Sequence, residues 1–167
     1  GMVGHDDRLA ILGEVRRVLS PGGAFLFSTH NRASDDARAG FRMPKLEPTI
    51  NPARLGVRVA RFARHLAVRA YNRRRLAHLV EHGEGYSILN DVCHDYGTLL
   101  YYVDLPEQRR QLAGAGFRAD AEAWDLDGAP ANDDSTHGSI TLLARVPLRR
   151  GTGARPGVVS CWQNASG

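Results

Sequence analysis

Three groups of residues in this chain have the types and spacing to do chemistry. Thr29, His30 and Asn31 follow an apolar run, and an imidazole there can take a proton from an acceptor or orient it. The same position suits a surface histidine hydrogen-bonded in a loop, and Asn31 is equally a turn residue. His94-Asp95-Tyr96, with Tyr101 and Tyr102, sets an imidazole beside a carboxylate and phenols. That cluster can bind or deprotonate an acceptor, or be a half-buried aromatic strand with a solvated His-Asp neighbour. His30 and His94 are the candidate catalytic residues, and Asn31, Tyr96, Tyr102, Arg58 and Arg61 the candidate substrate-binding ones. The third group is a run of arginines at 54, 58, 61, 64, 69, 73, 74 and 75 with no acid among residues 54–75. That segment is +8 against a whole-chain charge of +4, so the remainder is −4. It reads as a lid that grips an anionic substrate with guanidinium forks, as a patch for nucleic acid or an anionic membrane, or as a solvated face. Thin aromatic interleaving (Phe62, Tyr71) argues against single-strand stacking platforms. No group has metal-ligand spacing or a nucleophile elbow, and Cys93 and Cys161 form neither a C-x-x-C pair nor a disulfide framework, so no metal is expected.

Elements must position these groups. Asp6 or Asp7 is expected to cap a helix carrying Leu9, Leu12, Val15 and Leu19 at helical spacing, and Pro21-Gly22-Gly23 to stop it. Ala24–Thr29 then has the continuous apolar character of a strand buried on both faces of a parallel sheet. Residues 32–53 read as a loop. Asn51-Pro52 starts a helix of about residues 52–82, with Leu55, Val59, Phe62 and Leu66 as its apolar stripe and Gly83 and Gly85 as its end. Thr98–Val103 has strand composition. Asp104 and Glu107 match a capping box for a helix to Ala115 closed by Gly116. Residues 119–126 and Ser139–Val146 read as an antiparallel hairpin, and residues 149–167 as a disordered tail.

Two of these stretches resemble the class I S-adenosylmethionine-dependent methyltransferases. One is Arg17-Val18-Leu19-Ser20-Pro21-Gly22-Gly23 running into the strand at Ala24; the other is Leu112-Ala113-Gly114-Ala115-Gly116-Phe117 with the hairpin after it. The likeness covers residues 5–31 and 98–147. It implies a partial Rossmann-like α/β fold, holding strands five to seven of the family's sheet. Residues 1–31 supply a helix and the central parallel strand, residues 32–97 a helical insertion or lid, and residues 98–148 a strand, a helix and the antiparallel pair. In the family the fifth strand lies between the fourth and the seventh. The resemblance also implies S-adenosylmethionine as cofactor of the intact enzyme, a small-molecule acceptor (anionic if the arginines read it), and His5 near the cofactor. The family's Gly-rich loop after a first strand has no counterpart in this sequence. The chain is thus expected to be the substrate-side half, inactive alone, with the edge of Ala24–Thr29 open to a second copy.

Composition sets the remaining bounds. At 167 residues and 43% apolar content the chain suits one domain with a core. Lys45 is its single lysine; arginine use of this kind, with much Ala and Gly, matches a GC-rich bacterial genome. No apolar run approaches the ~20 residues of a membrane helix, and no signal-peptide layout opens it, so the expectation is a cytoplasmic protein.

Overall fold

Residues 4–45 and 48–148 are described by the computed structural model. The first described element is a helix, α1 (His5–Val18). Gly4, not Asp6 or Asp7, stands at its N-cap. Asp7 lies inside the first turn and takes the Gly4 N–H on Oδ2 at 3.3 Å, where its charge also suits the positive end of the helix dipole. The Pro21-Gly22-Gly23 turn ends the segment as expected, with Gly22 at φ 80° and strand β1 (Ala24–Asn31) directly after it. The chain continues through α2 (Asp35–Arg38), α3 (Pro52–Leu76), β2 (Glu81–His82), β3 (Tyr86–Asn90), β4 (Leu99–Val103), α4 (Leu105–Gly114), β5 (Glu122–Trp124) and β6 (Ser139–Arg145).

The six strands form one mixed sheet in the order β2-β3-β4-β1-β6-β5. β1 runs parallel to β4 and antiparallel to β6, and the other neighbours are antiparallel. This is an α/β fold. One face carries the core, where Leu12 of α1, Leu105 and Leu112 of α4, Phe117, and Ile140, Leu142 and Ala144 of β6 form one buried cluster.

Several expectations need correction. β1 is not buried on both faces. Phe25, Phe27, Thr29 and Asn31 turn toward the core, while Ala24, Leu26, Ser28 and His30 are exposed, Leu26 at 64%. Its apolar run reflects residue types on both faces, but α1 and α4 cover only one. The strand also runs two residues further than Thr29, so His30 and Asn31 lie inside it. Its ladder with β4 pairs only His30 with Tyr102 and Asn31 with Val103, so Ala24–Thr29 have no strand partner on that side among the described residues.

The loop of residues 32–53 holds the short helix α2, capped by Ser34. The basic helix ends at Leu76 rather than near residue 82, because Glu81 and His82 pair instead with Ile88 and Ser87 of β3. The Asn51 cap is as read, its Oδ1 accepting from Ala53 N at 3.0 Å and Arg54 N at 3.2 Å. Asp104 likewise caps α4 through Glu107 N at 2.9 Å, but Glu107 does not reach back; its carboxylate takes Arg110 and Gln111. The tail from residue 149 and Cys161 lie outside the described residues. No described helix is long and apolar enough to cross a membrane.

Candidate functional site

Strand alternation divides the aromatic cluster that the sequence presents as one. Tyr101 and Tyr102 are neighbours on β4 and therefore point to opposite faces of the sheet. Tyr102 faces the side of His30, with ring centroids 5.4 Å apart. Tyr101 faces the core side, where its hydroxyl meets His5 Nδ1 at 2.8 Å and accepts from Gln111 Nε2 at 3.0 Å.

On the Tyr102 side, the segment after β1, the end of α3 and the segment after β3 enclose a cleft of about 350 Å³. Asp36, Arg42, Arg73, Asn90, Asp91 and Tyr102 are among its lining. It lies near the C-terminal end of β1, where open α/β sheets bind ligands. Tyr102 donates to Asp91 Oδ2 at 2.5 Å, and Cys93 N donates to Oδ1 at 2.7 Å. Burial pushes the Asp91 carboxyl up, but the Cys93 thiol, the Tyr102 hydroxyl, the Cys93 N–H and the His30 charge together hold it below its ordinary value. Burial, then the bond to Asp91, pushes the Tyr102 phenol up, so it stays a donor. The Cys93 thiol is raised by its bond to Asp91 and by burial, which disfavours a thiolate nucleophile. Asn90 gives Nδ2 to Tyr96 O at 3.0 Å, while its buried Oδ1 has no hydrogen-bond partner among the described residues. The cleft can therefore orient a polar ligand, with the exposed imidazole of His30 beside it.

Tyr102→Phe tests the Asp91 pair. At neutral pH we expect a loss of about 1 kcal/mol in chemical unfolding, and an Asp91 carboxyl pKa, followed by NMR, that rises toward the ordinary value. A carboxyl depressed in the fold stabilises above its unfolded pKa, and that contribution goes as pH falls through its folded pKa. The gap between wild type and variant should therefore narrow in acid.

The other sequence-derived candidates fall elsewhere. Asn31 is 1% exposed, its Nδ2 donating to Ser135 O at 2.5 Å and its Oδ1 accepting from Ala33 N at 3.0 Å. It is a structural turn residue, since both polar ends are spent. Tyr96 is buried, its hydroxyl taking Arg42 N at 2.7 Å, so it props up the cleft wall rather than meeting a ligand with its polar end. His94, Asp95 and Tyr96 have φ of 51°, 52° and 61°, a left-handed turn built without glycine. Asp95 turns away from the cleft to α3, accepting from Arg69 Nε at 2.7 Å and bonding His65 Nδ1 at 2.9 Å. His94 is exposed at the tip of that turn. His5 opens α1 with its ring stacked on Tyr86 at 4.0 Å. Beside it Arg8, its pKa lowered by burial, lies 4.6 Å from the Tyr101 ring centroid and bonds Gln108, Gln111 and Thr29, tying α1 to α4 and the sheet. Arg58 and Arg61 lie on α3, in a separate basic pocket.

Nothing local in the sequence singles out Asp91 and Asn90. Their role follows from the β3–β4 register, Asn90 opposite Leu99 and Ser87 opposite Tyr102, and β3 was not expected. A further trio outside the cleft, Asp125, Asp127 and His137, brings three ligand atoms within 4.8 Å of one another. Asp125 Oδ1 is already committed to Asp127 N at 3.0 Å and Ala129 N at 2.9 Å, and His137 Nε2 lies 3.4 Å from its other oxygen, so the trio serves as a turn with an imidazole beside its carboxylate. No family model and no curated protein matches the chain.

Proposed function

We propose that this chain is the substrate-side half of an S-adenosylmethionine-dependent methyltransferase, taking the methyl acceptor in the Asp91–Tyr102 cleft. The observation that carries the reading is topological. The α1–Pro21-Gly22-Gly23–β1 unit is flanked by antiparallel β6, which lies between β1 and the edge strand β5. That is the arrangement the resemblance implies for strands five, seven and six, and the cleft lies near the C-terminal end of β1. In this role Asp91, Tyr102 and Asn90 orient the acceptor and His30 takes its proton. Among the described residues no Gly-rich loop joins a strand to a helix N-terminus, so the cofactor does not fit this chain alone.

Calorimetry with S-adenosylmethionine should show no binding to this chain. A protein extended by an in-frame upstream strand and Gly-rich loop should bind it and transfer methyl groups, with His30→Ala lowering kcat by about a hundredfold. Micromolar binding by this chain, or an upstream sequence encoding no such loop, would sink the proposal. A second reading, a non-catalytic module binding anionic polymers or surfaces through α3, draws support from α3 having no buried residue along its 25.

A further inference from the structure

The helix α3 meets the body along one narrow side. Arg58, Phe62, Leu66, Arg69, Asn72 and Leu76 recur at helical spacing as its half-buried residues, and every other position from Pro52 to Leu76 is exposed. The ties of Arg69 and Asn72 to Asp95 run from that side. The opposite side carries Ala53, Val57, Ala60, Ala67 and Tyr71, spaced by fours and threes as a single stripe, with Val68 beside it. Val57 is 61% exposed and Tyr71 65%. Arg54, Arg61, Arg64, Arg74 and Arg75 lie within or beside the stripe, all exposed, and no acid occurs among residues 54–75. An apolar stripe and an unrelieved row of cations therefore share the face turned away from the body.

A partner for that face has two requirements to meet. It must take up aliphatic and phenolic side chains, and it must supply negative charge along about 37 Å, the length of 25 residues at about 1.5 Å each. A nucleic acid supplies the charge but offers nothing to valines and alanines, and one tyrosine makes a poor platform for stacked bases. The surface of a bilayer containing anionic lipid meets both. Val57, Val68 and the alanines enter the boundary between headgroups and acyl chains, as the apolar face of an interfacial helix does. The Tyr71 ring sits at that boundary with its hydroxyl toward water. The arginines lay their stems along the apolar surface and reach the lipid phosphates with their guanidinium groups.

We propose that α3 docks by this outer face, lying flat, on a membrane surface that carries anionic lipid. The inference deepens the second reading above, anionic-partner binding through α3, and does not depend on the chemistry assigned to the cleft. The helix rests on the membrane and does not span it.

Flotation of the chain with phosphatidylcholine vesicles, with and without phosphatidylglycerol, at about 0.15 M salt tests it, with retention on heparin measured in parallel. Arg64→Gln removes a charge from the outer face, and the pair Val57→Gln with Val68→Gln removes apolar groups from it. Arg38→Gln removes the same charge from an exposed position on α2. All are checked for unchanged melting by circular dichroism. Flotation that needs phosphatidylglycerol, is weakened about fivefold by Arg64→Gln and about tenfold or more by the valine pair, and is unchanged by Arg38→Gln supports the proposal. Absence of flotation with heparin retention that depends on Arg64 overturns the membrane partner and leaves the second reading, with a nucleic acid as the occupant. Absence of both overturns the two together. Flotation that ignores the valine pair, or that Arg38→Gln weakens as much as Arg64→Gln, overturns the proposal as well, because diffuse charge would then account for it.

Discussion

Replacing Asp95 with alanine should raise the amide-exchange rates of α3 by about ten- to a hundredfold while leaving those of β6 unchanged. The asymmetry follows from how the helix is attached. None of its residues is buried, so apolar packing does little to hold it. Its firmest ties converge on one residue: the Asp95 carboxylate holds Arg69 and His65, and Asn72 Nδ2 donates to Asp95 O at 3.0 Å. Hydrogen bonds to a charged group contribute about 1.5–3 kcal/mol, and about 1.4 kcal/mol is a factor of ten in an opening equilibrium.

The same residue sits in the left-handed turn, where each non-glycine residue costs about 1–2 kcal/mol and persists only if its surroundings over-determine it. Asp and Asn tolerate that conformation best. Asp95→Asn should therefore give an intermediate effect, keeping the turn and losing the charge. Asp95→Gly should relieve the strain yet free α3 as fully as alanine does. Equal exchange in wild type and Asp95→Ala would show that α3 is held by something else. The attachment also carries a pH signature. The Asp95 pKa is depressed, so its contribution is complete above the ordinary carboxylate value and is lost as pH falls through the lower, folded one. Exchange in α3 should rise in acid before the core unfolds.

Local signals in the sequence were sufficient where the physics is local. The Pro21-Gly22-Gly23 stop, the Asn51 and Asp104 caps and the strand character of Leu99–Val103 each depend on residues within a few positions of one another. What the sequence concealed depends on partners distant in the chain. The helical pattern around Leu76 gives no reason to stop before Gly83, yet the chain tightens into a 3-10 turn at Ala77–Leu79 and Glu81 and His82 then pair with β3. The strand β3 itself is short, and its turn needs Gly85 at φ 76°, where an added Cβ would come within 2.5 Å of Glu107 Cβ on α4. The cleft was hidden for the same reason. Tyr102 was visible as a candidate, but Asp91 acquires its meaning from a strand register. The left-handed turn at His94–Tyr96 carries no glycine or asparagine to announce it.

The apolar run of β1 is the case where composition misled most, and it leads to the second large effect. Leu142→Ala should cost about 2–5 kcal/mol, the range for emptying a fully enclosed leucine site. Leu26→Ala should cost no more than about 0.5 kcal/mol, as at surface positions generally. Leu142 is 0% exposed, packed in the cluster with Leu12 and Leu112, whereas Leu26 is 64% exposed on the opposite face of the neighbouring strand. Leu26 pairs across the ladder with Leu143, one residue along from Leu142. The two leucines therefore occupy almost the same place in the sheet and differ chiefly in which face they serve. Urea unfolding of both variants measures the difference directly. Comparable losses would mean that the Leu26 face is covered in solution, by a second copy or by a further segment. Repeating Leu26→Ala over a range of protein concentrations separates those cases, because only a self-associating face makes the cost depend on concentration. A cost that stays small at every concentration leaves β1 as a one-sided strand, with the side of His30 open to solvent.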